Sequence, residues 1–138
     1  MDTAHAVLKV LLTLLLAAVG TLALLSAAGV LPLPDALRLS DVDGKDKWAR
    51  GAALLGLPVA AFTAALGAAK LTAAAGFWLG RGIDETVTLL AAAMYVCVSV
   101  GHYKIDGAYL PPLIPAALCL AKWATTPAPP VKTSKSKL

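Results

Sequence analysis

The chain has 138 residues, 59% of them hydrophobic and only 14% charged, whereas a soluble domain carries about 25% charged residues. Its net charge of +4 is modest and lies mostly outside the apolar runs, so no basic face for nucleic acid can be drawn. Composition therefore points to an all-α, polytopic membrane protein and excludes nucleic-acid partners.

The first predicted span runs from Val10 to about Val30, without a charged side chain, and ends at Gly29 and the Pro32/Pro34 pair. At 1.5 Å per residue it covers about 30 Å, one bilayer core. Lys9 and the run Ser26-Ala27-Ala28 give it some likeness to a signal peptide. The apolar run is long for that role, so it is read as a retained span. Residues 35–50, DALRLSDVDGKDKWAR, hold half of the acidic and a third of the basic residues. They predict a polar loop with room for a short interfacial helix anchored by Trp48.

The next apolar run, Gly51 to Gly80, is interrupted only by Lys70 and at about 45 Å is too long for one upright crossing. Pro58 divides it. A helix over 51–69 would leave LTAAAGFWLG as an apolar loop with unpaired backbone. A helix over 58–80 instead puts Pro58 in the tolerated first turn and Trp78 with Arg81 at the far interface, and it carries Lys70 to mid-depth. GRGIDE, residues 80–85, reads as a tight turn, followed by a third span over 86–103 and a turn at KIDGAY. The fourth span, 110–126, offers about 14 good helical residues after an extended lead-in through Leu110, Pro111 and Pro112. Spans at about 10–30, 58–80, 86–103 and 110–126 predict a four-transmembrane-helix bundle. Residues 127–138 form a Pro/Lys/Ser-rich polar tail ending in Ser136-Lys137-Leu138. That ending matches a peroxisomal address, but a tail built of Ser and Lys produces it readily by chance. Lys and Arg divide almost evenly between the two sides, so the positive-inside rule gives no orientation.

A charge at a helix centre costs about 2.5–3.5 kcal/mol on insertion scales. None of the four predicted spans contains Asp or Glu, so Lys70 needs hydroxyls, backbone, water, a ligand or another subunit. The third span offers one polar stripe: Thr88, Tyr95, Ser99, His102 and Asp106 fall at helical spacing. A Tyr95 hydroxyl facing Lys70, with Thr63 and Gly67 on the same face, defines a candidate polar groove or partner contact. Ordinary polar bonding between helices is the favoured account of it. The second span is also rich in small residues: Ala61, Ala65, Ala69 and Ala73 recur every fourth position, beside Ala60, Ala64, Ala68, Thr72 and Gly76. Such faces, with Gly67, let helices approach closely, and two of them exceed the need of a single neighbour.

No catalytic, metal-binding or cofactor-binding residue is predicted. The two histidines, His5 and His102, fall on opposite membrane faces in the four-span topology and cannot share a haem. Zinc and iron–sulfur spacings are missing from the sequence, and no cofactor is expected, a quinone or lipid being the bound groups compatible with such a bundle. Cys97 and Cys119 read as small buried packing residues.

Two stretches resemble the DoxX-like superfamily of small four-helix membrane proteins: LGAAKLTAAAGFWLG, residues 66–80, and VSVGHYKIDGAYLPPLIPAALCL, residues 98–120. With the span spacing, the resemblance covers about residues 8–124. Many members carry an acidic residue where this chain has Lys70. The resemblance implies a role among membrane subunits of quinone-linked sulfur oxidation, redox-stress complexes, assembly chaperones or cargo receptors, with no shared catalytic residue. The expectation is a non-catalytic accessory subunit of a larger complex, of the organellar electron-transport kind, in the mitochondrial inner membrane, with another organellar membrane or a bacterial plasma membrane as the alternative settings. Its partners would be other integral-membrane subunits and lipids. A membrane subunit of a quinone-linked oxidoreductase, or an assembly chaperone or cargo receptor, are the alternatives.

Lys70→Leu in an isolated 58–80 segment should raise its insertion by about 3 kcal/mol. Glycosylation mapping of the segment in a translocation assay checks this.

Overall fold

The structure, a computed structural model, describes residues 3–32, 47–107 and 109–129. Among them all regular structure is helical: α1 (Thr3–Ala27), α2 (Lys47–Leu54), α3 (Val59–Gly76), α4 (Arg81–Asp106) and α5 (Leu110–Ala124). Three are long and apolar enough to cross a membrane: Thr3–Ala27, Val59–Gly76 and Arg81–Ile105. The protein is thus an integral-membrane chain whose described residues hold helices and no strand. The fifth helix has 15 residues, about 22 Å of rise, and is shorter than a full crossing. Most of the predicted polar loop, and the tail beyond residue 129, lie outside the described residues.

The long helices form two antiparallel pairs, α1 on α3 and α4 on α5. Helices α1 and α5 join the pairs, and α2 lies against α3 and α4. Leu12 and Leu16 of α1, Phe77 just past α3, Ala91 and Ala92 of α4 and Cys119 of α5 belong to one buried cluster between them.

Glycine sets the α1–α3 spacing. A Cβ added at Gly67 would stand 2.9 Å from the Gly20 carbonyl oxygen, and one at Gly20 would stand 2.9 Å from the Gly67 carbonyl oxygen. At Gly76 a Cβ would meet Val87 Cγ2 at 2.8 Å, which fixes one end of α3 against α4. The inner face of α3 is therefore Thr63, Gly67, Lys70, Ala73, Ala74 and Gly76. Ala61, Ala65 and Ala69 lie off that face and are exposed. Helical period four marks a stripe of small residues but does not say which stripe finds a neighbour.

Several boundaries shift, each for a local reason. The first helix starts at Thr3 rather than Val10, because Lys9 finds a carboxylate within the bundle. Gly80, with φ 113°, turns the chain sharply enough for α4 to begin at Arg81, so GRGIDE is mostly helix rather than turn. Helix α3 starts just after Pro58 and ends at Gly76, inside the predicted 58–80. The α5 lead-in is helical from Leu110, since Pro111 and Pro112 sit in the first turn, where their missing N–H groups have no intrahelical acceptor to lose. The short helix around Trp48 extends to Leu54, and Gly56 turns the chain at φ 66°. Trp48 then packs edge-on against Phe62, ring centroids 6.2 Å apart. Cys119 is buried as expected, whereas Cys97 is exposed on α4.

Gly67→Leu should destabilise the chain by at least about 1–3 kcal/mol, because Gly20 backbone leaves the new side chain no room. Gly82→Ala, at an α4 position with nothing within 4 Å, should be neutral or slightly stabilising. Unfolding titrations in detergent would compare the two.

Candidate functional site

Two polar features stand at opposite ends of the bundle. At one end the first turn of α4, the last turn of α5 and the start of α1 converge on Asp84, which is only 5% exposed. Lys122 of α5, 1% exposed, makes a short ion pair with Asp84 Oδ1 and donates to Thr88 Oγ1 at 2.8 Å. Thr88 Oγ1 donates in turn to the Asp84 carbonyl oxygen at 2.6 Å. Lys9 of α1 reaches Asp84 Oδ2 at 3.3 Å, with its ammonium 4.7 Å from the centre of the Trp78 ring. His5 Nε2 lies 3.8 Å from the same oxygen. Its Nδ1 bonds the Lys122 carbonyl at 3.1 Å, and because a carbonyl only accepts, that nitrogen carries the proton. Trp78 Nε1 donates to Thr13 Oγ1 at 3.0 Å, adding a further link from α1 to the connection before α4.

This knot corrects two readings. The predicted spans contain no carboxylate, yet α4 begins five residues earlier than predicted and Asp84 lies within the candidate span Arg81–Ile105. Lys9 and Lys122, counted with the other Lys and Arg that divide between the two sides of the membrane, are helical and turned inward. A signal was present: Asp84 stands four residues before Thr88, so it extends the Thr88–Tyr95–Ser99 stripe by one turn. Placing α4 after a turn at residues 80–85 hid it.

At the other end, a cavity of about 530 Å³ lies between α3, α4 and the start of α5, with α2 and the Leu15–Val19 stretch of α1 along its sides. Lys70, Tyr95 and His102 line it together with Trp48, Phe62 and Leu66. Lys70 is 7% exposed, and its ammonium lies 5.2 Å from the centre of the Trp48 ring. The structure thus brings Lys70 and Tyr95 to one cavity, and no hydrogen bond joins them among the described residues. Ser99 is buried elsewhere on α4 and donates to the Tyr109 carbonyl at 2.6 Å, tying α4 to the start of α5. Thr63 is buried one turn before Gly67, and neither lines the cavity. Asp106 closes α4. His5 belongs to the Asp84 knot and His102 to the cavity, 18 residues or about 27 Å further along α4 than Asp84.

The knot can hold three helices in register. The cavity is shaped to enclose an apolar molecule beside one cationic head. Among the described residues no group of three His, Cys, Asp or Glu is placed to hold a metal ion. No protein family, curated protein or solved structure matches this chain.

Asp84→Asn should destabilise the chain by about 3–5 kcal/mol, because two inward-facing ammonium groups lose their counter-charge. The double variant Asp84→Asn/Lys122→Met should cost less than the sum of the two single changes. Denaturant unfolding of the four chains in one detergent measures this coupling.

Proposed function

We propose that this chain is a four-span membrane bundle acting as a non-catalytic accessory subunit of a larger membrane complex. The observation that carries the reading is the exposed stripe Ala61, Ala65 and Ala69 on α3. The inner face of α3 is already occupied by α1, the cavity and α4. A second small-residue face at helical spacing suits close approach of another transmembrane helix. Bulky side chains are the simpler covering for lipid, and α1 and α4 present them: Leu11, Leu14, Leu90 and Val100 are all exposed.

The fourth span is α5. It runs antiparallel to α4 from the level of Ser99 to that of Asp84, and Pro127 to Pro129 beyond it continue the chain. The DoxX-like resemblance favours an electron-transport membrane, with the mitochondrial inner membrane as the specific setting.

Ala61→Phe and Ala65→Phe should reduce co-migration with the host complex on native gels while leaving the melting behaviour of the purified chain unchanged. Unchanged co-migration would remove this reading. Cysteines placed at Thr3 and at Pro127, in a chain with Cys97 and Cys119 replaced, should label from the same membrane side. Labelling from opposite sides would leave three crossings rather than four.

A further inference from the structure

The accessory role leaves the cavity at the α2 end without a purpose. We infer that this cavity binds a single-chain amphiphile with a carboxylate head, the carboxylate meeting Lys70 Nζ and the chain lying along Phe62, Leu66, Met94 and Val98.

Three observations converge. The first is space: about 530 Å³ falls within the 300–1,000 Å³ usual for small-molecule sites. The second is wall chemistry. The described lining is overwhelmingly apolar, with Lys70, Tyr95 and His102 as its polar exceptions apart from the Trp48 indole and Cys97, and none of the described lining residues is acidic. The third is an unbalanced charge. Lys70 is 93% buried, and among the described residues no carboxylate or hydrogen-bond acceptor meets its ammonium. Its one described partner is the Trp48 ring, and a ring face replaces only part of the lost hydration of an ammonium. An anion inside the cavity completes the site.

The contrast with the opposite end sharpens the assignment. Lys122, also buried, has Asp84 and Thr88; Lys70 has the face of the Trp48 ring and a space. One ammonium matches a single negative charge. A phosphate monoester carries close to two and would leave an excess in an apolar site. The rim fits arrival from the bilayer: Leu54 and Leu55, 60% and 66% exposed, lie at its edge, so an acyl chain can enter sideways without crossing a polar surface.

The test uses the purified full chain in phosphatidylcholine nanodiscs and a palmitic acid bearing a photoactivatable diazirine in its chain. Crosslinks should saturate and map to α3 and α4 residues of the cavity. Oleate should compete at least about tenfold better than methyl oleate, as expected for a charged hydrogen bond. Lys70→Met should weaken labelling by a similar factor, and Lys70→Arg should restore part of it.

Equal competition by acid and ester would overturn the role of Lys70. Stronger competition by oleoyl lysophosphatidate would overturn the carboxylate assignment, and displacement by a short-chain quinone but not by oleate would replace an anionic head with a carbonyl. Unsaturable crosslinks on outward residues such as Leu90 and Val100 would mean bulk lipid only. If Lys70→Met fails to fold, the acid–ester comparison on the unaltered chain decides. Binding is read on the isolated chain, so a failed native-gel experiment on partner assembly does not bear on it.

Discussion

One carboxylate holds this bundle together. Asp84 sits in the first turn of α4 and is met by Lys122 from α5 and Lys9 from α1, with His5 of α1 alongside. Three helices far apart in sequence thereby share one small volume. The position suits a negative charge independently of the lysines, because the N-terminal end of a helix carries partial positive charge. The arrangement is asymmetric in charge: two ammonium groups converge on one carboxylate, so either lysine can be lost with a partner remaining, whereas Asp84 cannot. Thr88 and the Trp78–Thr13 bond extend the knot without adding charge.

The opposite end is built on the reverse principle. Near the knot, α3 is pressed against α4 by Gly76 under Val87, and further along, at positions that do not line the cavity, α1 is pressed onto α3 by the Gly20/Gly67 approach. Small residues there remove the space between helices. Toward the other end the facing residues of α3 and α4 become large, Phe62 and Leu66 against Met94 and Val98, and α2 stands beside them. The helices part, and the cavity is what lies between. Buried lysines at the two ends consequently meet different fates. Lys122 is neutralised within the chain, while Lys70 faces an aromatic ring and an open volume. Charge that a tight bundle would exclude is tolerated where the bundle is loose.

The outer surface separates two kinds of apolar residue that composition merges. Leu and Val on α1 and α4 present bulk to the surroundings, suited to acyl chains, while α3 presents Ala61, Ala65 and Ala69. A lipid-facing helix gains nothing from being narrow. A helix that admits another helix does, and this difference underlies the proposed role as a subunit.

The sequence by itself determined the membrane class, the division of the long apolar run at Pro58, the small-residue character of α3 and the anomaly of Lys70, because these follow from composition, proline chemistry and the length of a bilayer crossing. It also marked Tyr95 and Ser99 as members of one polar stripe, since helical spacing is a local property. Only the tertiary structure decided what that stripe and Lys70 meet. The Asp84 knot joins residues 5, 9, 84 and 122, and no local pattern links positions so distant. Whether a charge near a helix end faces water or a neighbour depends on where the other helices end. Which face of α3 turns inward was equally beyond local reading: both alanine stripes have the same period and both are largely exposed, and it was Gly20 on α1, with its bare backbone against Gly67, that selected the inner face.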